Sequence, residues 1–131
     1  MGKSLFDIEG KVVLITGGAR GIGLMLTKAF LTAGARVYIT SRNEKSCYDV
    51  AEKMSELGYC KALPADLSKT NEIDGLISDF GEREQYLNVL INNAGTTWGA
   101  SLDDFPEIGW DKVLTLNLKS PFFIMQKFLP F

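Results

Sequence analysis

The stretch Thr16-Gly17-Gly18-Ala19-Arg20-Gly21-Ile22-Gly23 constrains this chain most, because of what flanks it. Before it, Lys11-Val12-Val13-Leu14-Ile15-Thr16 is a continuous apolar run rich in β-branched residues. Such runs, without alternation, suit strands buried on both faces of a parallel sheet. After it, Ile22, Leu26, Ala29, Phe30 and Ala33 recur at helical spacing, and Gly34 is placed to close the helix. A glycine loop between a buried strand and an amphipathic helix has a definite use. Glycine lets the backbone turn tightly and come close to a diphosphate, while the helix N-terminus offers free N–H groups and partial positive charge. Tight packing turns use glycine too, but the strand–loop–helix setting favours nucleotide binding.

The same alternation continues. Arg36-Val37-Tyr38-Ile39-Thr40 reads as a second strand, and Cys47, Val50, Ala51, Met54 and Leu57 as the apolar stripe of a second helix closed by Gly58. Cys60 to Leu63 is a third strand. Ser68 is placed as N-cap of a third helix with inner face Ile73, Leu76, Ile77 and Phe80. Leu87 to Asn92 is a fourth strand, followed by the turn-rich Asn93-Ala94-Gly95 and, from about Glu107, a last helix apolar on nearly every face after Pro121. Strand and helix alternate four times with short connections, which implies βαβ units and a mostly parallel sheet in one domain over residues 1–131.

Composition excludes several functions. With 14 Lys+Arg against 16 Asp+Glu the net charge is −2, so no field for nucleic acid is implied. The absence of histidine removes Ser–His–Asp triads and most catalytic zinc sites, and no metal site is expected. Cys47 and Cys60 are too few for a disulfide framework and read as core thiols of a reducing compartment. No apolar run is long enough to span a membrane, and the first residues lack a signal-peptide core. Gly2-Lys3-Ser4 imitates the end of a P-loop, but no strand or earlier glycine precedes it. A soluble cytoplasmic protein is expected.

The glycine spacing is G-x-x-x-G-x-G, carried by Gly17, Gly21 and Gly23, and not the commoner G-x-G-x-x-G. TGGARGIG resembles the cofactor loop of the short-chain dehydrogenase/reductase family, and three further matches support the resemblance. Asn92-Asn93-Ala94-Gly95 after the fourth strand is similar to that family's NNAG motif. Asp66-Leu67 after the third strand stands where the family meets the adenine ring. Asn117 matches its active-site asparagine. The resemblance runs from about Leu5 to Phe131. It implies a Rossmann-type doubly wound parallel α/β sheet, here ending after the fourth strand and its following helix. Thr16 to Gly23, Asp66, Leu67, Asn93, Ala94 and Gly95 are then expected at the cofactor.

The tip of the second strand selects between the two nicotinamide cofactors. A carboxylate there binds the ribose 2′-hydroxyl, and a cation accommodates a 2′-phosphate. This chain has Ser41-Arg42-Asn43 and no acid, with Arg42 about 20 residues beyond Gly23 and Arg20 as a second cation. The planar fork of arginine suits phosphate oxygens. NADP(H) is the expected cofactor.

Pro121 stands four residues after Asn117 and has no N–H for its carbonyl, so a kink is expected there. A carbonyl freed in this way can hold a water, the part that the resemblance gives this asparagine in a proton relay. The resemblance also implies a later serine and a Tyr-x-x-x-Lys pair, whose spacing puts the ammonium beside the phenol and lowers its pKa. No tyrosine here has lysine four residues on. The chain therefore reads as the N-terminal part of a longer reductase, inactive alone. Its fourth strand (Val89, Leu90, Ile91) is expected to be uncovered, as are Phe122, Phe123, Ile124, Met125, Phe128 and Leu129. In the resembled family that helix packs on another subunit, which implies a dimer or tetramer.

The loop Asn93 to Ala100, with Gly109-Trp110, is most similar to the 3-oxoacyl reductase branch, including the rhamnolipid-associated type. A small-molecule or acyl-thioester ketone is the implied substrate, with Trp98 at its entrance. A sugar or polyol dehydrogenase and a non-catalytic NADP-binding scaffold are the alternatives. A methyltransferase would want an acid at the second strand's tip, against Arg42.

Overall fold

The computed structural model describes residues 4–131, so the first residues of the Gly2-Lys3-Ser4 match lie outside it. Four strands, β1 (Val12–Thr16), β2 (Arg36–Thr40), β3 (Cys60–Ala62) and β4 (Val89–Ile91), form one parallel sheet in the order β3-β2-β1-β4. Val13 pairs with Val37 on one side and Val89 on the other, so β1 is central. Helices α1 (Gly21–Thr32), α2 (Glu44–Met54), α3 (Thr70–Gly81), α4 (Glu107–Leu114) and α5 (Ser120–Phe128) alternate with the strands, and a π-helical segment, Thr115–Lys119, separates the last two.

Period-two alternation along buried strands sends successive side chains to opposite layers. Val13, Ile15, Val37 and Ile39 pack with Leu31, Cys47, Ala51 and Met54 of α1 and α2. Val12, Leu14 and Tyr38 pack with Ile73, Leu76 and Phe80 of α3 and Ile124 and Phe128 of α5. The sheet is therefore wound on both faces. Phe80, fully buried, meets Tyr38, Phe128 and Phe131 edge-to-face at 5.4, 5.1 and 5.4 Å. Truncating such an aromatic to alanine costs about 3–5 kcal/mol.

Several expectations are corrected. In α1 the buried face is Gly23, Thr27 and Leu31, while Ile22, Ala29 and Ala33 are exposed. Gly23 lies against the glycine loop, and residues spaced by four share its side of the helix. Leu57 lies beyond the end of α2 and is half-exposed. Ser68 does not cap α3. Lys69 occupies that position without a side-chain bond, and Ser68 instead donates to Asp66. The kink expected at Pro121 is a π segment, in which the Ser120 N–H reaches back to the Thr115 carbonyl. Ile124 and Phe128 are buried and Phe123 half-buried, because this face of α5 covers the sheet, whereas Phe122, Met125 and Leu129 are exposed as expected. Val89, Leu90 and Ile91 are half-buried and join the two cores.

Candidate functional site

In this strand order the direction of winding reverses between β1 and β4, so their carboxyl ends open a crevice where such sheets take ligands. Two sequence-distant segments meet there. The Asn93 side-chain amide donates to the carbonyls of Thr16 at 3.0 Å and Gly17 at 3.2 Å. The backbone N–H groups of Asn93 and Ala94 both donate to Thr16 Oγ1, at 3.0 and 2.9 Å, and that hydroxyl donates to Ile91 O at 3.3 Å. Thr16 is thus a buried hub holding β4's outgoing loop against the glycine turn.

The glycines have distinct reasons. Gly17 has φ +65° and Gly21 φ +55°, a region costly for side-chain-bearing residues. A Cβ on Gly23 would stand 2.0 Å from Gly17 O, and one on Gly18 would stand 2.6 Å from Ile39 Cγ2. The helix can approach the strand end this closely only without those atoms. Around Gly21 there is open space. Arg20, exposed, precedes α1 with no side-chain capping bond, and no acidic residue lies in the first turn. The amides that open α1 are therefore not capped by a side chain of their own helix terminus, as an anion site requires. Ala19 is buried behind the turn and Ile22 projects outward, 70% exposed.

At the tip of β2, Arg42 is exposed and Ser41 O accepts from Ala65 N at 3.1 Å. Asn43 caps α2, its Oδ1 accepting from Ser46 N at 2.8 Å, so its side chain is engaged in the fold. Asp66 lies nearby. The Ser68 hydroxyl, donating at 2.6 Å, holds this carboxyl below the usual carboxylate range, with Ser68 N–H, Lys69 and Arg42 acting the same way against a partial burial penalty. Leu67 is buried beside it. Thr40 Oγ1, fully buried at the end of β2, has no hydrogen-bond partner among the described residues.

Asn117 sits in the π segment and faces the same loop. Thr96 N donates to its Oδ1 at 2.8 Å, and its Nδ2 donates to Thr96 O at 2.9 Å. A Cβ on Gly95 would meet Oδ1 at 3.3 Å. The carboxamide is thus bound to the Thr96 backbone through both its atoms. Thr96, Thr97, Trp98, Phe105, Trp110, Val113, Leu114 and Asn117 line a cleft of about 400 Å³. The Trp98 ring lies over Gly109, where a Cβ would stand 2.7 Å from it.

Sequence reasoning missed Ser120, and it named Thr96 and Gly109 only within the stretches similar to the 3-oxoacyl reductase branch, with no contact assigned to either. For Ser120 the one available signal was a lone serine in an apolar helix. The tyrosines lie elsewhere: Tyr38 and Tyr59 bond each other near the opposite end of the sheet, Tyr48 is on α2 and Tyr86 precedes β4. No group of three metal-ligating side chains occurs among the described residues, and no helix there is long and apolar enough to cross a membrane.

A doubly wound parallel sheet with a glycine turn after its central strand is the Rossmann-type architecture. The chain belongs to the short chain dehydrogenase family, whose profile matches residues 11–131. It is 46% identical over 125 residues to the rhamnolipids biosynthesis 3-oxoacyl-[acyl-carrier-protein] reductase of Pseudomonas aeruginosa, covering 95% of this chain and 49% of that protein. It is 36% identical to a gluconate 5-dehydrogenase of Gluconobacter oxydans, covering 93% and 48%. Among solved structures it superposes on the Pseudomonas aeruginosa RhlG/NADP active-site complex with TM-score 0.92 and 46% identity, covering 95% and 49%. A gluconate 5-dehydrogenase from Burkholderia cenocepacia in complex with NADP and tartrate gives 0.87 at 31% identity, covering 94% and 49%. The chain spans about half the length of the curated relatives it matches.

Proposed function

We propose that residues 1–131 form the NADP(H)-binding domain of an oxidoreductase that reduces a ketone, a 3-oxoacyl group above all, to a secondary alcohol. One observation carries this reading. Gly23 approaches Gly17 O where a Cβ would stand at 2.0 Å, bringing an uncapped helix terminus to the crevice between β1 and β4. That backbone cradle fits a diphosphate. Arg42, with Arg20 at the turn, supplies cations for a 2′-phosphate, and no acid stands at the tip of β2 to favour the free hydroxyl. On this reading Asp66 and Leu67 meet the adenine side, and Asn93, Ala94 and Gly95 the nicotinamide side.

The bound dinucleotide supplies hydride. These residues hold and orient it, and Asn117 steadies the wall at Thr96 while its carbonyl, four residues before a proline without N–H, is offered to a relay water. A proton for the carbonyl oxygen calls for a tuned tyrosine, and none of the four tyrosines here has its lysine. The apolar Trp98, Phe105, Trp110, Val113 and Leu114 around the cleft support an acyl chain over a polyol. Likeness to the Pseudomonas reductase supports the same choice. The exposed row Leu118, Phe122, Met125 and Leu129 supports self-association of the whole protein.

Calorimetry of this chain with NADPH and NADH tests the cofactor assignment. NADPH is expected to bind about tenfold or more tighter than NADH, a difference of roughly 1.4 kcal/mol. No binding of NADPH, or a preference for NADH, overturns it.

A further inference from the structure

Ser120 is 3% exposed and opens α5. Its hydroxyl lies 2.5 Å from Leu67 O and 2.7 Å from Thr115 O. A hydroxyl carries one proton and can donate to only one of these carbonyls at a time. Thr115 O already accepts the Ser120 N–H, the bond that closes the π segment. Leu67 belongs to the loop between β3 and α3, beside Asp66, and Asn117 stands in the π segment with its carboxamide on Thr96. One buried side chain therefore touches both the loop after β3 and the π segment. No other hydrogen bond among the described residues joins the Asp66–Leu67 loop to the π segment.

We propose that Ser120 is a positioning residue that couples the Asp66–Leu67 loop to Asn117, through the contest of Leu67 O and Thr115 O for its single proton. This rests on the reading of the crevice as a dinucleotide site. When an adenosine group orders the loop, the hydroxyl stays on Leu67 O and Thr115 O keeps only the backbone N–H. When the loop is free, the proton returns to Thr115 O and tightens the π turn. Because Asn117 grips Thr96 through two bonds, either setting is passed to the wall of the cleft.

The chain reports this itself, since both of its tryptophans, Trp98 and Trp110, line that cleft with Thr96 and Asn117. Adenosine 2′,5′-bisphosphate, which lacks the nicotinamide and cannot reach the tryptophans by its own ring, is the probe. Calorimetry measures its binding and tryptophan emission measures the response. In the native chain emission is expected to shift in step with occupancy. Ser120→Ala is expected to bind the probe about fivefold more weakly and, at saturation, to show no shift. Ser120→Thr, which keeps the hydroxyl, restores it. Amide exchange of the native chain gives a second measure should the alanine variant fail to fold: the Thr96 N–H, held by Asn117 of the π turn, is expected to exchange several-fold faster with the probe bound, when that turn has lost the Ser120 hydroxyl. Probe bound with no change at tryptophan or Thr96, or an undiminished shift in Ser120→Ala, overturns the coupling and leaves the dinucleotide reading standing. Failure of the native chain to bind the probe overturns both.

Discussion

The two ends of the sheet use polar groups in opposite ways. At the amino end, Glu84 Oε1 accepts from Arg36 at 2.6 Å and 3.1 Å and from Tyr38 OH at 2.7 Å, and the Tyr38 and Tyr59 hydroxyls stand 3.2 Å apart. The Arg36 guanidinium also lies 3.8 Å over the Tyr59 ring. Bonding to Glu84 raises the Arg36 pKa, and burial pushes the Tyr38 phenol well up, so both keep their protons throughout the ordinary range. Glu84, Arg36, Tyr38 and Tyr59 are there matched to one another inside the protein. At the carboxyl end, polar groups hold backbone to backbone through Thr16 and Asn93, while Arg20, Arg42 and the opening amides of α1 face outward. A closed network stabilises; an open one leaves capacity for a ligand. Charge alone would not have distinguished them.

Substitutions can break this contrast. The largest effect is expected from Gly23→Ala, because the new methyl meets backbone at 2.0 Å and not a movable side chain. Stability should fall by about 3 kcal/mol in denaturant unfolding, and NADPH binding should vanish in calorimetry. Glu84→Gln comes next. It leaves Arg36 short of its partner, with Glu84 only 12% exposed, and is expected to cost about 2 kcal/mol. NADPH affinity should stay as it was, since the far end of the sheet is untouched.

Arg42→Asp reverses that pattern. Unfolding is expected to move by less than about 0.5 kcal/mol, as for most exposed positions. NADPH affinity should drop by about tenfold or more while NADH changes little; an unchanged NADPH constant removes Arg42 from the site. The smallest effect concerns Asp66. A carboxyl whose folded pKa is depressed stabilises the protein above its unfolded value, near 4, and the gain is lost as pH falls through the folded value. Stability should therefore decline in acid below about pH 4, and less steeply in Asp66→Asn. Equal slopes for the two proteins would detach Asp66 from that decline.

The two cysteines offer a check on the core. Burial pushes the thiols of Cys47 and Cys60 up to about 11. Neither should react with a thiol reagent at pH 8 until the chain unfolds, since the thiolate is the reactive form.

The unequal legibility of the elements has physical causes. β2 and the inner face of α3 could be read directly, since burial on both sheet faces or on one helix face leaves a periodic signature. The side of α1 that turns inward could not. Apolar spacing pointed to Ile22 and Ala29, but contact with Gly17 decides the rotation, and a glycine has no hydropathy to announce itself. Ser68 has the chemistry of a cap and spends it on Asp66, a choice between equivalent local bonds that only loop geometry settles. Pro121 gave notice of a disrupted helix, and Ser120 converted the disruption into a π turn.

Local order determined the parallel sheet, the glycine turn and the tip of β2, because strand burial, positive φ and the missing acid are properties of neighbours in the chain. The meeting of Asn93 with Thr16, of Asn117 with Thr96 and of Ser120 with Leu67 was decided only on folding. Those bonds join residues far apart in sequence, and no periodicity records which distant backbone a polar side chain will find.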